Sequence, residues 1–266
     1  MKKYSLLAVD LDGTLLNNQK EITLETIDAI NHMISLGYYF VIVTGRPYIA
    51  IKNLIKGISK NIYLITTNGA LITTKEDDLI FLKTMNEEAA KRILTIANEN
   101  KATIAIWSKN ELYFNKESSW QEKYENMQKI KGRLINDDFS YLNITKIIWF
   151  DDESKMDEVK NLFKGVKANF FTSQKEFLEF VDFSISKEKA LDYLLNILKI
   201  KKSEVIAIGD GENDLKMLKY AGLGVAMGNA DEKVKKEADL ITKSNQEDGV
   251  KQIIDCYFIK GEIKNE

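Results

Sequence analysis

Short apolar runs alternate with helical patterns at both ends of the chain. Residues 5–9, 39–43, 62–65 and 205–208 are nearly continuous apolar runs rich in branched side chains, which is typical of strands buried on both faces of a parallel sheet. Residues 223–227 form a similar run. We therefore predict five buried strands at these positions.

Helical spacing of apolar residues fills the intervals between these runs. One stripe lies between Thr23, which suits a helix N-cap, and Gly37, which suits the position after a last helical turn. The same spacing predicts helices over residues 51–58, 190–198 and 215–218. Strands that alternate with helices predict a doubly wound α/β fold with a parallel sheet.

The middle of the chain has a different pattern, with strand-like runs following one another more closely. The predicted strands there are 102–107, 111–115, 144–150, 166–172 and 177–183, and the predicted helices are 87–99 and 154–163. This pattern is typical of an α+β domain. We predict a core domain in two sequence halves, 1–84 and 185–266, with an α+β domain inserted at 85–184.

The composition narrows the classes of protein and of chemistry. Of 266 residues, 44% are hydrophobic and 29% charged, and 38 Lys and Arg against 40 Asp and Glu give a net charge of −2, which argues against a nucleic-acid partner. No apolar run approaches a membrane span or a signal-peptide core, so we expect a cytoplasmic protein without membrane partners. Cys256 and His32 are the single residues of their types. Acidic and hydroxyl residues must therefore supply the chemistry.

Two pairs of acidic residues follow predicted strands. Asp10 and Asp12 come after the first strand, and Asp210 and Asp214 come after the strand at 205–208. Ligands of open α/β sheets bind at the carboxyl ends of the strands, so we expect these carboxylates to converge. Like charges about 4 Å apart repel by roughly 4 kcal/mol at an effective dielectric constant of about 20. A divalent cation would relieve this repulsion, and oxygen ligands without His or Cys favour Mg²⁺.

Donors for an anion follow the second strand and begin a later helix. Thr44 offers a hydroxyl and Gly45 an unobstructed backbone N–H just before a predicted helix N-terminus. Lys187, at the start of the 190–198 helix, can add a positive charge, and Asn213 an amide donor. Together with a metal, these donors suit a phosphoryl group.

These motifs, in this order, resemble the four motifs of the haloacid dehalogenase (HAD) superfamily of phosphotransferases. The motifs are residues 10–14, 44–46, Lys187 and residues 209–214. Residues 68–70, the turn at 228–230 and the long insertion resemble the Cof-type subgroup (subclass IIB), whose members carry an α/β cap of the C2 type. The resemblance implies a Rossmann-like core with the inserted domain as the cap.

The resemblance also implies residue roles. Asp10 would be the nucleophile that forms an aspartyl phosphate, and Asp12 the general acid and base. Mg²⁺ would be bound by the carboxylates of Asp10 and Asp210 and by the backbone carbonyl of Asp12, with Asp214 in support. The implied phosphate ligands are the backbone at Leu11 together with Thr44, Gly45, Lys187 and Asn213.

The implied function is a Mg²⁺-dependent phosphatase of a small phosphorylated metabolite, such as a sugar phosphate or a phosphorylated cofactor. A phosphomutase of the same superfamily and a non-catalytic sensor of a phosphorylated ligand are the alternatives. The lysine motif departs from the family pattern because Glu188 stands where glycine is usual, which leaves Lys189 as a competitor of Lys187. The substrate and the oligomeric state stay open at this point.

Overall fold

The computed structural model describes residues 3–260, so Met1, Lys2 and the last six residues of the predicted 185–266 segment lie outside it. The described chain folds as two compact units. One contains the residues up to Arg46, Ile51–Phe81 and the residues from Ser186 onward, and the other contains Pro47–Ala50 and Leu82–Ile185. The domain boundaries at 84/85 and 184/185 stay predictions.

The elements follow one another in a regular order along the chain. The strands are β1 (Leu6–Asp10), β2 (Tyr39–Val43), β3 (Tyr63–Thr66), β4 (Leu71–Thr74), β5 (Leu79–Leu82), β6 (Thr103–Ser108), β7 (Glu111–Phe114), β8 (Arg133–Leu134), β9 (Ile144–Phe150), β10 (Ala168–Gln174), β11 (Phe177–Asp182), β12 (Val205–Gly209), β13 (Leu223–Ala226) and β14 (Leu240–Ile241). The α-helices are α1 (Leu24–Ser35), α2 (Tyr48–Ile51), α3 (Glu87–Glu99), α4 (Ser119–Gln128), α5 (Met156–Leu162), α6 (Lys187–Leu198), α7 (Leu215–Tyr220), α8 (Glu232–Glu237) and α9 (Gly249–Ile254). None of the helices within residues 3–260 is long and apolar enough to cross a membrane.

The sheet of the first unit has the strand order β14-β13-β12-β1-β2-β3-β4-β5. The pairs from β14 to β3 are parallel, and β4 runs antiparallel to β3. Every residue of β1 and β12 is buried, as their apolar runs predict. The predicted α/β class with a parallel central sheet is confirmed.

The chain builds the sheet outward in opposite directions from the junction of β1 and β12. The chain moves from β1 to β2 and β3 on one side, whereas β12 lies on the other side of β1 and leads outward to β13 and β14. Val9 pairs with Ile208 across this junction. The crevice at such a switch point, outside the carboxyl ends of the strands, is where open α/β sheets bind ligands.

Of two predicted helices in the first unit, one forms as expected and the other does not. Helix α1 begins after Thr23, whose side chain accepts a hydrogen bond from the Thr26 N–H, and ends before Gly37 as expected. The helix predicted over residues 51–58 is wrong, because α2 ends at Ile51 and turns follow. Its isoleucines, Ile51, Ile55 and Ile58, are buried all the same and Leu54 is half-buried, since a series of turns can present side chains at a spacing close to the helical one.

The second unit is built on a six-stranded sheet with the order β10-β11-β9-β6-β7-β8. Its strand pairs are antiparallel except for the parallel pair β7–β8. Helices α3 and α5 contribute to one apolar cluster with the sheet, and α4 contributes Tyr124 to a second cluster with Trp107 and Phe150. Strands and helices of this kind form the predicted α+β arrangement.

Candidate active site

Three carboxylates converge at the switch point of the parallel sheet. Asp10 is the last residue of β1, Asp210 follows β12, and Asp214 ends the 3₁₀ turn Glu212–Asp214. One oxygen from each lies within 4.8 Å of the others. Asp10 and Asp214 are almost fully buried, at 5% and 1% exposure. The fold therefore concentrates negative charge where little water can screen it.

A buried lysine lies among these acids. The Lys187 ammonium donates to Asp10 Oδ1 at 2.5 Å and to Asp214 Oδ1 at 2.6 Å, and the residue is only 3% exposed. Ser186 caps the helix by accepting from the Lys189 N–H, so Lys187 is the first residue of α6. Lys189 is exposed. The structure thus brings Lys187, and not its competitor, into the acidic cluster.

Asp214 is held by hydrogen bonds to both of its oxygens. Oδ1 accepts from Lys187, and Oδ2 accepts from the backbone N–H groups of Asp210 and Gly211 at 3.2 and 3.1 Å. Asp10 and Asp210 each use one oxygen, because Asp10 Oδ1 accepts from Lys187 and Asp210 Oδ1 accepts from the Thr14 hydroxyl at 2.7 Å. The geometry makes Asp214 a support for its neighbours and leaves the second oxygens of Asp10 and Asp210 without a donor among the described residues.

The environment shifts the pKa values of this cluster. Burial, with the charges of Asp214 and Asp210, raises the pKa of Asp10 well above its usual range, although Lys187 opposes the shift. Burial raises the pKa of Asp210 to about 6, against the lowering effect of the Thr14 hydrogen bond. Burial alone would lower the pKa of Lys187, but the charges of Asp10 and Asp214 raise it above its ordinary value. The lysine is therefore charged, and the acids are crowded.

Asp12 lies outside this cluster, and its side chain pairs with Arg46. The guanidinium donates from Nε to Oδ2 at 2.7 Å and from Nη2 to Oδ1 at 2.6 Å, which is a bidentate pair. Lys20 lies 3.3 Å from Oδ1. Burial would raise the pKa of Asp12, but the Arg46 hydrogen bonds and charge lower it below the usual value. Arg46 holds this carboxylate ionised and fixed in direction.

The predicted anion donors are placed at the ends of the same strands. Thr44 is buried and follows β2, with its hydroxyl accepting a hydrogen bond from the Arg46 N–H at 3.1 Å. Gly45 is half-buried, Leu11 is buried directly after β1, and Asn213 is exposed in the turn that carries Asp214. Their roles toward phosphate stay predictions.

The chain matches known proteins over almost its whole length. Residues 7–254 match the family described as haloacid dehalogenase-like hydrolase. The chain belongs to this family. A solved haloacid dehalogenase-like hydrolase from Bacteroides thetaiotaomicron is 34% identical, with a TM-score of 0.87, over 95% of this chain and 99% of that one. The Bacillus subtilis protein named 5-amino-6-(5-phospho-D-ribitylamino)uracil phosphatase YcsE is 30% identical over 94% of each chain.

A further solved structure, of a protein named as a HAD subclass IIB sugar phosphatase, shares the fold with a TM-score of 0.82 at 24% identity over 96% of this chain and 99% of that one. The resemblance to the HAD superfamily is confirmed, and the chain is a hydrolase of this family.

Two residues of this HAD-like hydrolase were not assigned a role from the sequence. Thr14 lies within the first motif, and the hydrogen bond from its hydroxyl to Asp210 joins the first motif to the last. Arg46 lies within the second motif, and its bidentate pair reaches back to Asp12. Position in a motif was the sequence signal that could have singled out either residue. The hydrogen bonds themselves could not be foreseen, because each partner lies far away in the sequence.

The donor set fits a hard divalent cation. The free oxygens of Asp10 and Asp210 are carboxylate oxygens, and no His or Cys joins the cluster among the described residues. Gly13 has a positive φ of 78°, and a Cβ there would lie 2.3 Å from Asp210 Oδ2. The loop after β1 therefore packs closely against Asp210, one of the three carboxylates of the cluster. A metal can be held by this cluster.

Proposed function

We propose that this HAD-like hydrolase is a Mg²⁺-dependent phosphatase that hydrolyses a small phosphorylated metabolite through an aspartyl phosphate on Asp10. The observation that carries the proposal is the buried Lys187, which contacts Asp10 and Asp214 beside Asp210. Burying a charged lysine is costly because its ammonium loses hydration. A lysine that is nevertheless buried against a candidate nucleophile supports a role in binding an anion.

In the first step, Asp10 would act as the nucleophile. A carboxylate oxygen attacks phosphorus and the bond from phosphorus to the ester oxygen breaks. Asp12 would give that oxygen a proton as the alcohol leaves, after taking this proton from the phosphate monoester or from solvent, because the pair with Arg46 favours the ionised form of Asp12. Thr44, Gly45 and Lys187 would hold the equatorial oxygens of the phosphoryl group while it is transferred. Lys187 is already in contact with Asp10, so the charge it offers lies beside the attacking atom.

In the second step, water attacks the phosphorus of the aspartyl phosphate. Asp12 takes a proton from this water, the bond from phosphorus to the Asp10 oxygen breaks, and orthophosphate and free Asp10 result. The pair with Arg46 favours the ionised form of Asp12 and fixes both of its oxygens. Arg46 would therefore act as a positioning residue for the base.

Asp10, Asp210 and the backbone carbonyl of Asp12 would hold the Mg²⁺. The ion would supply positive charge to the transferring phosphoryl oxygens and would relieve the repulsion among the acids. The raised pKa values of Asp10 and Asp210 support this assignment, because they express a local excess of negative charge in a buried place.

The class of substrate rests on the relatives. One relative is named as the phosphatase of a phosphorylated ribitylamino uracil, which is a phosphate monoester of a small metabolite. Because this chain spans 94% of that relative, a small phosphate monoester is the substrate class we propose here.

The test is hydrolysis of p-nitrophenyl phosphate and a panel of phosphorylated metabolites, with Mg²⁺ and with EDTA. We expect Mg²⁺-dependent release of orthophosphate, and loss of about a hundredfold or more in Asp10→Asn because the nucleophile is removed. Asp157→Asn, which changes an exposed aspartate of the second unit, is the matched control and should retain activity.

The same assay separates the alternatives. Hydrolysis in ¹⁸O-labelled water should place one solvent oxygen in the product phosphate, whereas a phosphomutase would transfer the group to a second hydroxyl without this label. Binding of phosphate esters without turnover across the panel would contradict the proposal and favour a sensor. Full activity of Asp10→Asn would reject Asp10 as the nucleophile.

A further inference from the structure

The segment that follows β3 has an unusual backbone. Thr67, Asn68 and Gly69 have φ values of 52°, 55° and 103°, so three consecutive residues lie in the left-handed region. Glycine adopts this region freely and asparagine tolerates it, but a β-branched threonine is strongly disfavoured there. All three residues are buried. We call Thr67–Gly69 the left-handed turn.

The left-handed turn also leaves hydroxyl groups without partners. The Oγ1 atoms of Thr67 and of the preceding Thr66 are buried and have no hydrogen-bond partner. A buried hydroxyl without a partner destabilises the folded protein, as does a threonine with positive φ. Local stability therefore does not explain this turn, whereas its contacts with other elements can.

Its backbone brackets the predicted phosphate-binding loop. The Thr67 N–H donates to the Arg46 carbonyl and the Asn68 N–H donates to the Thr44 carbonyl, each at 3.0 Å. The Thr44 N–H in turn donates to the Ile65 carbonyl at 2.8 Å. The two donors of the turn thus fix the residues on both sides of Gly45.

The Asn68 side chain lies against Gly45 itself. A Cβ added to Gly45 would be 3.0 Å from Asn68 Oδ1 and 3.2 Å from Nδ2. The amide therefore occupies the space that a side chain at position 45 would need. It limits how far the Gly45 backbone, with its N–H, can shift.

Gly69 brings the turn against the helix that carries Lys187. A Cβ added to Gly69 would lie 2.6 Å from the Ser186 carbonyl oxygen and 3.0 Å from the Ala190 Cβ. Ser186 is the N-cap of α6, directly before Lys187. The turn therefore contacts the phosphate-binding loop with one side and the N-terminus of the lysine helix with the other.

We propose that Asn68 and Gly69 are positioning residues for phosphate binding. The left-handed turn holds the Thr44 hydroxyl, the Gly45 N–H and the Lys187 ammonium at a fixed spacing, so that three donors from separate elements meet one phosphoryl group. This inference rests on the proposed phosphatase function for the identity of the ligand, and on the contacts of Thr67–Gly69 for the role of the turn. A misplacement of such donors by about 1 Å can cost as much as a hundredfold in rate.

Gly69→Ala tests the contact with α6. The added methyl meets the Ser186 carbonyl and must displace the helix start, so we expect at least about tenfold weaker binding of orthophosphate, measured as competitive inhibition of aryl phosphate hydrolysis and directly by calorimetry. The Mg²⁺ concentration that half-saturates the thermal shift should change by a smaller factor than the orthophosphate affinity, because the turn acts on a proposed metal ligand indirectly, through Lys187 and its contact with Asp10. Gly37→Ala is the matched control: its φ is 82°, with nothing within 4 Å of the added Cβ.

Asn68→Gly tests the side chain alone. Glycine keeps the left-handed backbone and both backbone hydrogen bonds but removes the amide beside Gly45, so it folds without new strain. We expect about threefold or greater weakening of orthophosphate binding, with a matching rise in KM and a fall in kcat because donor placement affects both binding and transfer. If Gly69→Ala does not fold, this variant decides the question.

Weaker orthophosphate binding in both variants, with a smaller change in Mg²⁺ binding and with the Gly37→Ala control unchanged, supports the proposal. Orthophosphate affinity within twofold of the parent protein in Asn68→Gly and in folded Gly69→Ala overturns it. A parent protein that binds orthophosphate but hydrolyses no ester contradicts the proposed function, while the binding measurements still judge the turn. A parent protein that binds no orthophosphate in the presence of Mg²⁺ overturns both.

Discussion

Replacing Lys187 by methionine tests how the acidic cluster is held together. The ammonium is 3% exposed and contacts Asp10 at 2.5 Å and Asp214 at 2.6 Å. Methionine keeps a long unbranched side chain in the same space but removes the charge and its donors. Both carboxylates then remain buried without their shared cation.

The magnitude follows from burial and distance. Removing one partner of a buried ion pair costs about 3 to 5 kcal/mol, because the other partner stays desolvated without compensation. Carboxylate oxygens of Asp10, Asp210 and Asp214 lie within 4.8 Å of one another, and unit charges at that distance repel by about 3.5 kcal/mol at an effective dielectric constant of about 20. We expect the free energy of unfolding of metal-free protein at pH 7.5 to fall by about 3 to 5 kcal/mol.

The assay is urea denaturation in EDTA and in saturating Mg²⁺, at pH 7.5 and pH 5.5. The crowded acids of the variant have raised pKa values in the folded state, so they contribute stability at low pH that is lost as pH rises through those values. The deficit should therefore shrink at pH 5.5, and Mg²⁺ should reduce it at pH 7.5. Phosphatase activity of the variant should fall by about a hundredfold or more.

Lys189→Met is the control, because it removes an exposed lysine two residues along the same helix. It should change stability by less than about 0.5 kcal/mol and leave activity within a few fold. A loss below about 1 kcal/mol in Lys187→Met, or a deficit unaffected by both Mg²⁺ and pH, would refute the reasoning that Lys187 neutralises the cluster. Equal losses of activity in the two variants would refute the choice of Lys187 over Lys189.

Three further predictions concern the same site. Arg46→Lys loses the bidentate pair with Asp12 and should lower kcat about tenfold with little change in Mg²⁺ affinity, measured by aryl phosphate kinetics. Burial raises the pKa of Asp210 to about 6 and raises the pKa of Asp10 well above its usual range, so the Mg²⁺ affinity measured by thermal shift should fall as the pH is lowered to 6 and below, as protons compete for these carboxylates. Gly13→Ala places a Cβ 2.3 Å from Asp210 Oδ2 and should abolish the Mg²⁺-dependent thermal shift, whereas Gly165→Ala, with a similar φ of 87° and nothing within 4 Å, should retain it.

Much of the fold and the meeting of the motifs could be predicted from the sequence. The strands that end at Asp10, precede Thr44 and precede Asp210 are buried apolar runs, and parallel strands bring their carboxyl ends to one edge. Residues 200 apart in sequence, such as Asp10 and Asp210, were therefore expected together. The structure adds the distances and the hydrogen-bond partners, which depend on side-chain directions that no pattern encodes.

Helix boundaries were harder to predict where apolar spacing and hydrogen bonding disagree. Residues 51–58 keep a helical spacing, yet α2 ends at Ile51 and turns bury the isoleucines of this stretch. Helix α4 shows the opposite case, a helix that forms without a periodic apolar pattern to predict it. Its sequence is mostly polar, and its contribution to the core is concentrated in Tyr124, which packs with Trp107 and Phe150. Burial of one or two large aromatic residues leaves no periodic signal.

The positive φ of Thr67 could not be predicted from residue preferences. Asn68 and Gly69 suit the left-handed region, but Thr67 is β-branched and follows the strand predicted at 62–65, so local preference argues against a positive φ there. Contacts of Thr67–Gly69 with Arg46, Thr44 and Ser186, which come from distant parts of the chain, hold the turn in this conformation. Local rules fail here because the tertiary structure imposes the geometry, and such failures concentrate at functional sites.

The acidic cluster is likewise locally unfavourable, in this case because it brings like charges together. A single lysine cannot neutralise three carboxylates, and the raised pKa values of Asp10 and Asp210 show that the folded protein opposes their ionisation. Apolar residues in these places would give a more stable core. The excess of negative charge is useful only when a cation and a phosphoryl group share the crevice, because the cation then binds oxygens that the protein has left unsatisfied. The features that weaken the unliganded protein at this edge are therefore those that, under the proposed function, would give it affinity for a cation and a phosphoryl group.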